Sequence, residues 1–395
     1  MAKAEISPKK ISLENTEVAF ASRSKSDLLK MDLMFSIMNN PGFNKLAVSL
    51  LLTSIKLRLP IQSIVKATIF GHFCGGETLE ECLKTIDNLA KFRIGTILDY
   101  SVEGEKNEAG FDHVVQETIE TIQIAGSKKN VPFAVFKTSG IASVELLEKA
   151  RQGKLETLSD IQAFEKARKR FATICKEAAK EQVRIFVDGE ESWIQGTIDQ
   201  WTYEEMALYN KDKALIFNTY QLYRSDIFGM LKSAHQIAKS KGYILGAKLV
   251  RGAYMEKEAA YAVKNRLANP IHTSKSNTDQ DFDLAATYCL THVESIHFCA
   301  GSHNEKSNQM LADKMDNLEL QRNDERIWFA QLLGMSDNIS FALAKEGFNV
   351  AKYVPYGPVF SVMPYLVRRA SENTSVAGQT SRELALIQKE RKRRT

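Results

Sequence analysis

From residue 92 onward, short apolar runs alternate with longer amphipathic segments, a pattern that leaves few possible folds. We count eight such runs, at residues 94–98, 133–136, 183–187, 215–217, 244–250, 295–299, 327–333 and 350–354. Segments with helical periodicity, such as residues 143–151, 163–181 and 224–241, lie between them. Strands that alternate with helices form parallel sheets, and eight such units close into a barrel of about 250 residues. The sequence therefore predicts an α/β fold, a distorted (βα)8 or TIM barrel.

The chain has 395 residues, more than such a barrel needs. Residues 26–91 show a helical apolar pattern with breaks at 36–40 and 71–76, and the basic segment 381–394 also suits a helix. We predict an N-terminal helical arm at 1–91, the barrel at 92–380 and a basic C-terminal helix or tail at 381–395. The glycines of the second break do not match a dinucleotide-binding fingerprint.

Composition excludes several classes of protein. A formal net charge of +5 does not argue for a nucleic-acid partner. The five cysteines form no Cys-x-x-Cys pair, and no cluster has metal-ligand spacing, so we expect neither disulfides nor a metal. No run approaches the length of a membrane-spanning helix, and the polar start lacks a secretory segment. We expect a cytoplasmic protein, or a mitochondrial one if the source is eukaryotic.

Polar residues follow the apolar runs, where barrel enzymes carry their catalytic groups. They are Asp99, Lys137, Asp188, Asn218, Arg251 with Tyr254, His303 with Asn304, Gln331 and Tyr353. Loops are polar in most proteins, so part of this pattern is expected even without a functional site. Lys137 and Lys248 also suit Schiff-base chemistry, because a buried lysine is a potential nucleophile.

The eighth unit carries the strongest charge pattern. In a helix over residues 363–373, Glu372 lies one turn from both Arg368 and Arg369, and Tyr365 lies one turn before Arg368. Two guanidinium groups and a carboxylate suit a small zwitterion, whereas a solvated salt-bridge face is the functionless alternative. The residues alone indicate a barrel enzyme that acts on a small anionic or zwitterionic substrate.

Several motifs in this order resemble proline dehydrogenase, over about residues 92–373. The most specific are Lys-Leu-Val-Arg-Gly-Ala-Tyr254, Gln-Leu-Leu-Gly-Met335 and Tyr-Leu-Val-Arg-Arg-Ala-Ser-Glu-Asn373. Weaker matches include Val-Asp-Gly-Glu-Glu191, Asn-Thr-Tyr-Gln221, Thr278-Asp279 and Ser-His-Asn304. The resemblance implies a barrel that binds FAD non-covalently, oxidises L-proline to 1-pyrroline-5-carboxylate and passes electrons to a quinone.

The resemblance also implies residue roles. Arg368, Arg369 and Lys137 would bind the substrate carboxylate, Glu372 would orient these cations, and Asp188 would support the pocket. Tyr254, Tyr353, Tyr365 and Leu332 would wall the proline ring. The flavin contacts implied are Asn218, Lys248, Val250, Arg251, Gly252, Ala253, Thr273, Lys275, Ser302, His303 and Asn304.

Two alternatives stay open at this point. A 4-hydroxyproline dehydrogenase is the nearest one, although the bulky Tyr353 would crowd a hydroxyl on ring carbon C4. A catalytically silent barrel with a binding or regulatory role is the other. We also expect a peripheral membrane contact, because the acceptor is a quinone, and the basic C-terminal helix would either dock on the barrel or lie against an anionic membrane. The sequence does not predict an oligomeric state.

Overall fold

The structure is a computed structural model that describes residues 11–56, 61–102, 107–375 and 379–395, without the side chains of residues 41, 51–52, 54–56, 369–375 and 379. Eight parallel strands form a closed barrel in chain order, and the last strand pairs with the first. They are β1 (Ile94–Tyr100), β2 (Phe133–Phe136), β3 (Arg184–Val187), β4 (Ile216–Gln221), β5 (Leu245–Val250), β6 (Ile296–Gly301), β7 (Ile327–Leu332) and β8 (Val350–Tyr356). The predicted (βα)8 barrel is therefore confirmed.

Helices lie between the strands in sequence, and further helices precede β1 and follow β8. The N-terminal helices are α1 (Thr16–Ala19), α2 (Lys25–Asn39), α3 (Pro41–Lys56), α4 (Gln62–Val65), a π-helical turn (Lys66–Phe70), α5 (Gly71–Phe73) and α6 (Leu79–Ala90). Those that follow are α7 (Glu108–Ser127), a 3₁₀ turn (Thr138–Gly140), α8 (Val144–Arg151), α9 (Leu158–Lys180), α10 (Ser192–Tyr209), α11 (Ile227–Lys241), α12 (Met255–Asn265), α13 (Lys275–Thr291), α14 (Glu305–Asn317), α15 (Asp337–Lys345), α16 (Val359–Ser375) and α17 (Gln379–Arg394).

Polar side chains fix where several of these helices begin. Ser24 and Asp27 form a reciprocal capping box at the start of α2, and Thr157 and Asn304 accept bonds from the first turns of α9 and α14. A side-chain cap of this kind satisfies an otherwise unpaired backbone N–H and typically contributes about 1 kcal/mol.

An aromatic layer closes the inside of the barrel. The rings of Phe133 and Phe186 stack with their centroids 4.3 Å apart, and Phe217 meets both edge-on. Successive residues of a strand point to opposite faces, so the neighbours of these aromatic residues pack outward against the helices. The layer forms an apolar floor below the carboxyl ends of the strands, where barrel enzymes hold their polar sites.

Helix α6 packs on the outside of β1, whereas α16 does not cover the barrel in this way. Leu79, Cys82 and Ile86 of α6 share the core of the barrel helices. The apolar residues of α16 pack instead with those of α2 and the π-helical turn. Helix α6 therefore stands where the helix after β8 would stand in a regular barrel, and α16 is released to contribute elsewhere.

The glycine-rich break before α6 has a steric cause. The backbone N–H of Gly75 donates to the carbonyl of Pro355 at 2.8 Å, and Gly76 forms a parallel bridge with Tyr356. A Cβ on Gly75 would lie 2.5 Å from a side-chain carbon of Val354 in β8. The chain thus runs too close to β8 for a side chain.

Helix α17 docks on the N-terminal helices. Leu386 and Ile387 are buried there, Arg391 pairs with Asp32, and Arg394 donates to the carbonyl of Phe20 at 2.8 Å. A helix is therefore present in the predicted C-terminal segment, while the predicted boundaries of arm, barrel and tail stay predictions. Across the part of the chain that the structure describes, no helix combines the length and apolar content needed to cross a lipid bilayer.

Candidate active site

Three predicted site residues meet above the aromatic floor. Lys248 of β5 forms an ion pair with Asp188, which follows β3, and the hydroxyl of Tyr353 in β8 donates to the other oxygen of that carboxylate at 3.0 Å. The Lys248 Nζ also lies 5.1 Å from the ring centroids of Tyr353 and Phe186. One carboxylate therefore fixes both a cation and a phenol at the carboxyl ends of three strands.

Tyr353 acts as a hydrogen-bond donor in this arrangement. Burial, with the nearby charges of Asp188 and Asp99, raises the pKa of Tyr353 well above its ordinary value. A phenol with a raised pKa keeps its proton, so Tyr353 does not supply a base. The Lys248 ammonium is held by a carboxylate, and this contact disfavours the Schiff-base alternative at that residue.

A second group gathers around Tyr254, at the start of α12. Burial raises the pKa of Tyr254, and the positive charges of Lys137 and Arg368 act on it in the opposite direction. Lys137 follows β2 and Arg368 lies on α16, so two of the predicted carboxylate ligands lie near the same phenol. The side chains of Arg369 and Glu372 lie outside the described residues, and their roles stay predictions.

Glu190 is a member of this group that our sequence reasoning missed. Its side chain accepts a bond from the backbone N–H of Ser139 at 2.9 Å and another from the Ser139 hydroxyl. Burial raises the pKa of Glu190 to about 7, against the effect of the Ser139 bonds and the Lys137 charge. Glu190 thus holds the turn that carries Lys137. A usable signal was its place in the matched motif that ends at Glu191.

Leu332 and Tyr365 link the barrel to α16. Leu332 ends β7 and packs both with the inner cluster of the barrel and with the cluster that contains α16. Tyr365 is buried in the second cluster. The predicted ring-wall residues therefore come both from the barrel strands and from α16.

A third group surrounds Asp279 on α13. Arg251 donates to Asp279 at 2.6 Å and to the hydroxyls of Ser302 at 2.6 Å and Ser307 at 2.9 Å, and Lys275 donates to the other oxygen of Asp279 at 2.6 Å. Although burial opposes the effect, Lys275 and Arg251 hold the pKa of Asp279 below its usual range. Asn304 also donates to Asp279, at 3.3 Å.

This group suits a dinucleotide. Arg251 and Lys275 together offer the positive charge that a pyrophosphate requires, and they lie at the carboxyl edge of the barrel. Between them, Gly252 has a φ of 124°, which a side chain rarely adopts, and a Cβ there would collide with the Tyr223 ring. Val250 ends β5, and Ala253 and Thr273 lie exposed in the connections before α12 and α13. The residues present therefore fit FAD.

The position of Asn218 requires a correction. Its amide donates to Asp199 at 2.8 Å and to the Tyr203 hydroxyl at 3.3 Å, and both partners belong to α10 on the outside of the barrel. Asn218 therefore faces away from the mouth, and the predicted flavin contact is wrong. Gln221, at the end of β4, shares the inner face with Phe217 because residues an even number apart on a strand point the same way. Its amide donates to the carbonyl of Glu190 at 2.7 Å.

Comparison with known sequences decides the family. A sequence model of the family described as Proline dehydrogenase matches residues 82–382. The chain belongs to the proline dehydrogenase family. It is 35% identical over 336 residues to the carbapenem antibiotics biosynthesis protein CarD of Pectobacterium carotovorum subsp. carotovorum, over 84% of this chain and 85% of that protein. It is 31% identical over 388 residues to the mitochondrial proline dehydrogenase 1 of Dictyostelium discoideum, over 87% of this chain and 68% of that protein.

Solved structures agree on the architecture of this proline dehydrogenase family member. The crystal structure of proline utilization A (PutA) from Bdellovibrio bacteriovorus, inactivated by N-propargylglycine, superposes with a TM-score of 0.72 at 20% identity. The match covers 93% of this chain but 40% of that one. At such an identity the likeness establishes the shared barrel fold alone.

Proposed function

We propose that the protein oxidises L-proline to 1-pyrroline-5-carboxylate with non-covalently bound FAD, the first step of proline catabolism to glutamate. The observation that carries this proposal is that Lys137, from the barrel, and Arg368, from α16, both lie near enough to Tyr254 for their positive charges to oppose the rise in its pKa. Two cations of different origin around one phenol suit a small ring that bears a carboxylate.

The cations would bind and orient the substrate carboxylate. Lys137 acts as a point charge, and Arg368 and Arg369 offer planar forks that fix the direction of a carboxylate. Glu372 would orient the two arginines. Holding the substrate at a defined angle lowers the entropic cost of reaction, so we expect these residues to contribute mainly to binding and orientation.

The aromatic residues would enclose the proline ring and exclude water from it. Tyr353 is fixed by Asp188, Tyr254 lies beside the cations, and Leu332 and Tyr365 close the side toward α16. FAD, when bound, supplies the acceptor for the hydride that leaves proline C5. Because the Tyr353 phenol is anchored, it cannot swing away from a hydroxyl on C4, which favours proline over 4-hydroxyproline as substrate.

The residues that would hold FAD are those of the mouth and of the Asp279 group. Lys248, Gln221 and Val250 would lie along the flavin ring, and Arg251, Lys275, Ser302, His303 and Asn304 would bind its phosphates and ribityl chain. The catalytically silent alternative is set aside because the chain belongs to the proline dehydrogenase family over residues 82–382.

A purified sample tests this proposal. We expect FAD to be released when the protein is denatured, about one per chain, and L-proline to be converted to a product that reacts as a cyclic imine. 4-Hydroxyproline should be a poor substrate. A protein that carries no flavin, or that holds flavin without converting proline, would contradict the proposal.

We further propose a quinone as the electron acceptor and a peripheral membrane contact that brings the enzyme to it. The contact would lie on an apolar face of α2, α3, α4 and the first turn of α16, which pack against one another. Its side chains are between 40% and 67% exposed: Leu29, Leu33, Ile37, Phe43, Leu46, Leu50, Ile64 and Phe360. Lys25 and Lys30 of α2 and Lys45 of α3 are exposed on the same helices, and their positive charge would complement anionic lipid.

The basic end of α17 is a weaker candidate for this contact. Arg391 pairs with Asp32, Arg393 with Glu390, and Arg394 with the carbonyls of Arg23 and Phe20. These cations are engaged within the chain. The predicted alternatives are docking on the barrel and lying against a membrane. The helix contacts mainly the N-terminal helices, with Arg382 also paired to Glu305 of α14, and these contacts disfavour the membrane alternative.

Flotation with anionic liposomes at low salt tests the membrane contact. We expect the protein to float with the vesicles and the Leu33→Glu/Leu46→Glu variant to stay behind. Leu267→Glu is the matched control, because Leu267 is 59% exposed but lies after α12. Equal flotation of the three proteins, or none at all, would contradict this face, and a dimer that the double variant abolishes would assign it to a second copy.

A further inference from the structure

The loop between β7 and α15 adopts an unusual backbone. Gly334 and Ser336 have φ angles of 77° and 51°, in the left-handed region. A Cβ on Gly334 would lie 2.6 Å from the carbonyl oxygen of His72, so the N-terminal segment presses on this loop. A non-glycine residue in this conformation costs about 1 kcal/mol or more and persists only where its surroundings enforce it.

Buried charges hold the loop from the barrel side. Lys352 of β8 is fully buried, and its Nζ donates to the carbonyl of Met335 at 2.5 Å and pairs with Asp337 at 2.8 Å. Arg23, from the segment between α1 and α2, pairs with the other oxygen of Asp337 at 3.1 Å. Buried ion pairs add little net stability, but they strongly oppose any arrangement that separates them.

The C-terminal helix supplies the remaining contact. Glu383 of α17 is buried, and one of its carboxyl oxygens accepts the backbone N–H of Ser336 at 2.5 Å. The hydroxyl of the same Ser336 is hydrogen-bonded to His303 Nδ1 at 2.9 Å. Glu383, Ser336 and His303 therefore form a continuous chain from the outside of the barrel to its mouth.

Docking of α17 does not account for this carboxyl. The helix is already attached by Leu386 and Ile387, by the Arg391 pair with Asp32, and by Gln388, whose amide donates to Asp32 at 3.2 Å. Burying a carboxyl group costs free energy unless hydrogen bonds compensate for the lost water. Its hydrogen bonds in the loop go to Ser336, the residue that is bonded to His303.

We propose that Glu383 is a positioning residue of the flavin site, which sets the orientation of His303 through Ser336. The inference rests on the proposed function, because His303 is assigned to the flavin there. It adds that a helix outside the barrel completes the site and that flavin affinity depends on α17.

The test compares variants of the full-length protein after removal and re-addition of FAD. Glu383→Ala should bind FAD about tenfold more weakly, the loss expected for one buried hydrogen bond of about 1.4 kcal/mol. Glu383→Gln keeps an acceptor oxygen and should bind FAD almost as tightly as the wild type. Gln388→Ala removes a surface contact of the same helix and should leave flavin affinity unchanged.

Ser336→Ala keeps the backbone N–H but removes the hydroxyl that meets His303, and it should weaken FAD as Glu383→Ala does. It also serves where Glu383→Ala fails to fold. Visible absorbance of the bound flavin should shift in both weakened variants and not in Gln388→Ala. If Ser336→Ala and any folded Glu383→Ala bind FAD as tightly as the wild type does, this inference is overturned while the proposed function stands. A wild type without affinity for FAD would overturn the proposed function with it.

Discussion

The two halves of the candidate site are built in different ways. Lys248 and Tyr353 lie on strands of the closed barrel, above an aromatic floor, and Asp188, which directly follows β3, is bonded to both of them. Arg368 lies on α16, which packs with the N-terminal helices instead of covering the outside of the barrel. The barrel half is fixed by the fold itself, whereas the position of the α16 half depends on helices outside it. We therefore expect the first half to govern stability and the second to govern substrate binding.

Asp188→Ala should have the largest effect on stability. It leaves the largely buried Lys248 ammonium without its carboxylate, which costs about 3 kcal/mol of unfolding free energy. Urea denaturation measures this loss. Asp226→Ala is the control, because its pair with Arg224 is partly exposed and should cost less than about 1 kcal/mol. Equal losses of unfolding free energy in Asp188→Ala and Asp226→Ala would contradict a special contribution of Asp188 to stability.

Arg368→Met should separate binding from stability. Losing a charge-assisted fork on the substrate carboxylate should raise the KM for proline about 100-fold, or about 2.7 kcal/mol. Bound FAD and the urea midpoint should stay as in the wild type, and Arg369→Met should behave similarly. Steady-state kinetics with proline measure the change in KM. An unchanged KM would return these arginines to an ordinary surface salt-bridge face.

Tyr353 variants sharpen the role of the barrel half in specificity. Tyr353→Phe removes only the hydroxyl, which bonds to Asp188 and also acts on Asp99, and it should cost about 1 kcal/mol of stability. Tyr353→Ser also empties the space beside C4 and should move the kcat/KM ratio toward 4-hydroxyproline. Parallel assays with both substrates measure the shift. The same substrate preference in all three proteins would refute the account of this wall.

The last comparison concerns pH. Burial raises the pKa of Glu383 from 4.5 to about 7. A carboxyl with a raised folded-state pKa contributes stability that is complete below pH 4.5 and is lost as pH rises through 7. Thermal unfolding should therefore show a smaller loss of stability between pH 5 and pH 8 in Glu383→Gln than in the wild type. An identical pH profile would contradict this assignment.

The sequence predicted the barrel because its evidence is local. Each strand is an apolar run between helical segments, and all eight runs became strands. The sequence could not predict that α6 packs beside β1 while α16 joins the N-terminal helices, because both helices are amphipathic and periodicity does not name a partner.

The same limit explains the errors in the site. Asn218 and Gln221 stand in one motif, but they are an odd number of residues apart on β4, so their side chains point to opposite faces of the strand. Only Gln221 points to the inside of the barrel. Glu190 and Asp279 were in matched motifs and were passed over, because their role is to hold other side chains. The chain from Glu383 to His303 joins residues far apart in sequence, so it became visible only in three dimensions.

The most direct test of the account is anaerobic addition of proline to the purified, flavin-loaded protein. We predict that L-proline bleaches the visible flavin absorbance and that D-proline does not, because the proposed carboxylate ligands come from both the barrel and α16 and would admit one placement of the carboxylate and ring. Failure of L-proline to bleach the flavin, or equal bleaching by both enantiomers, would contradict the central claim.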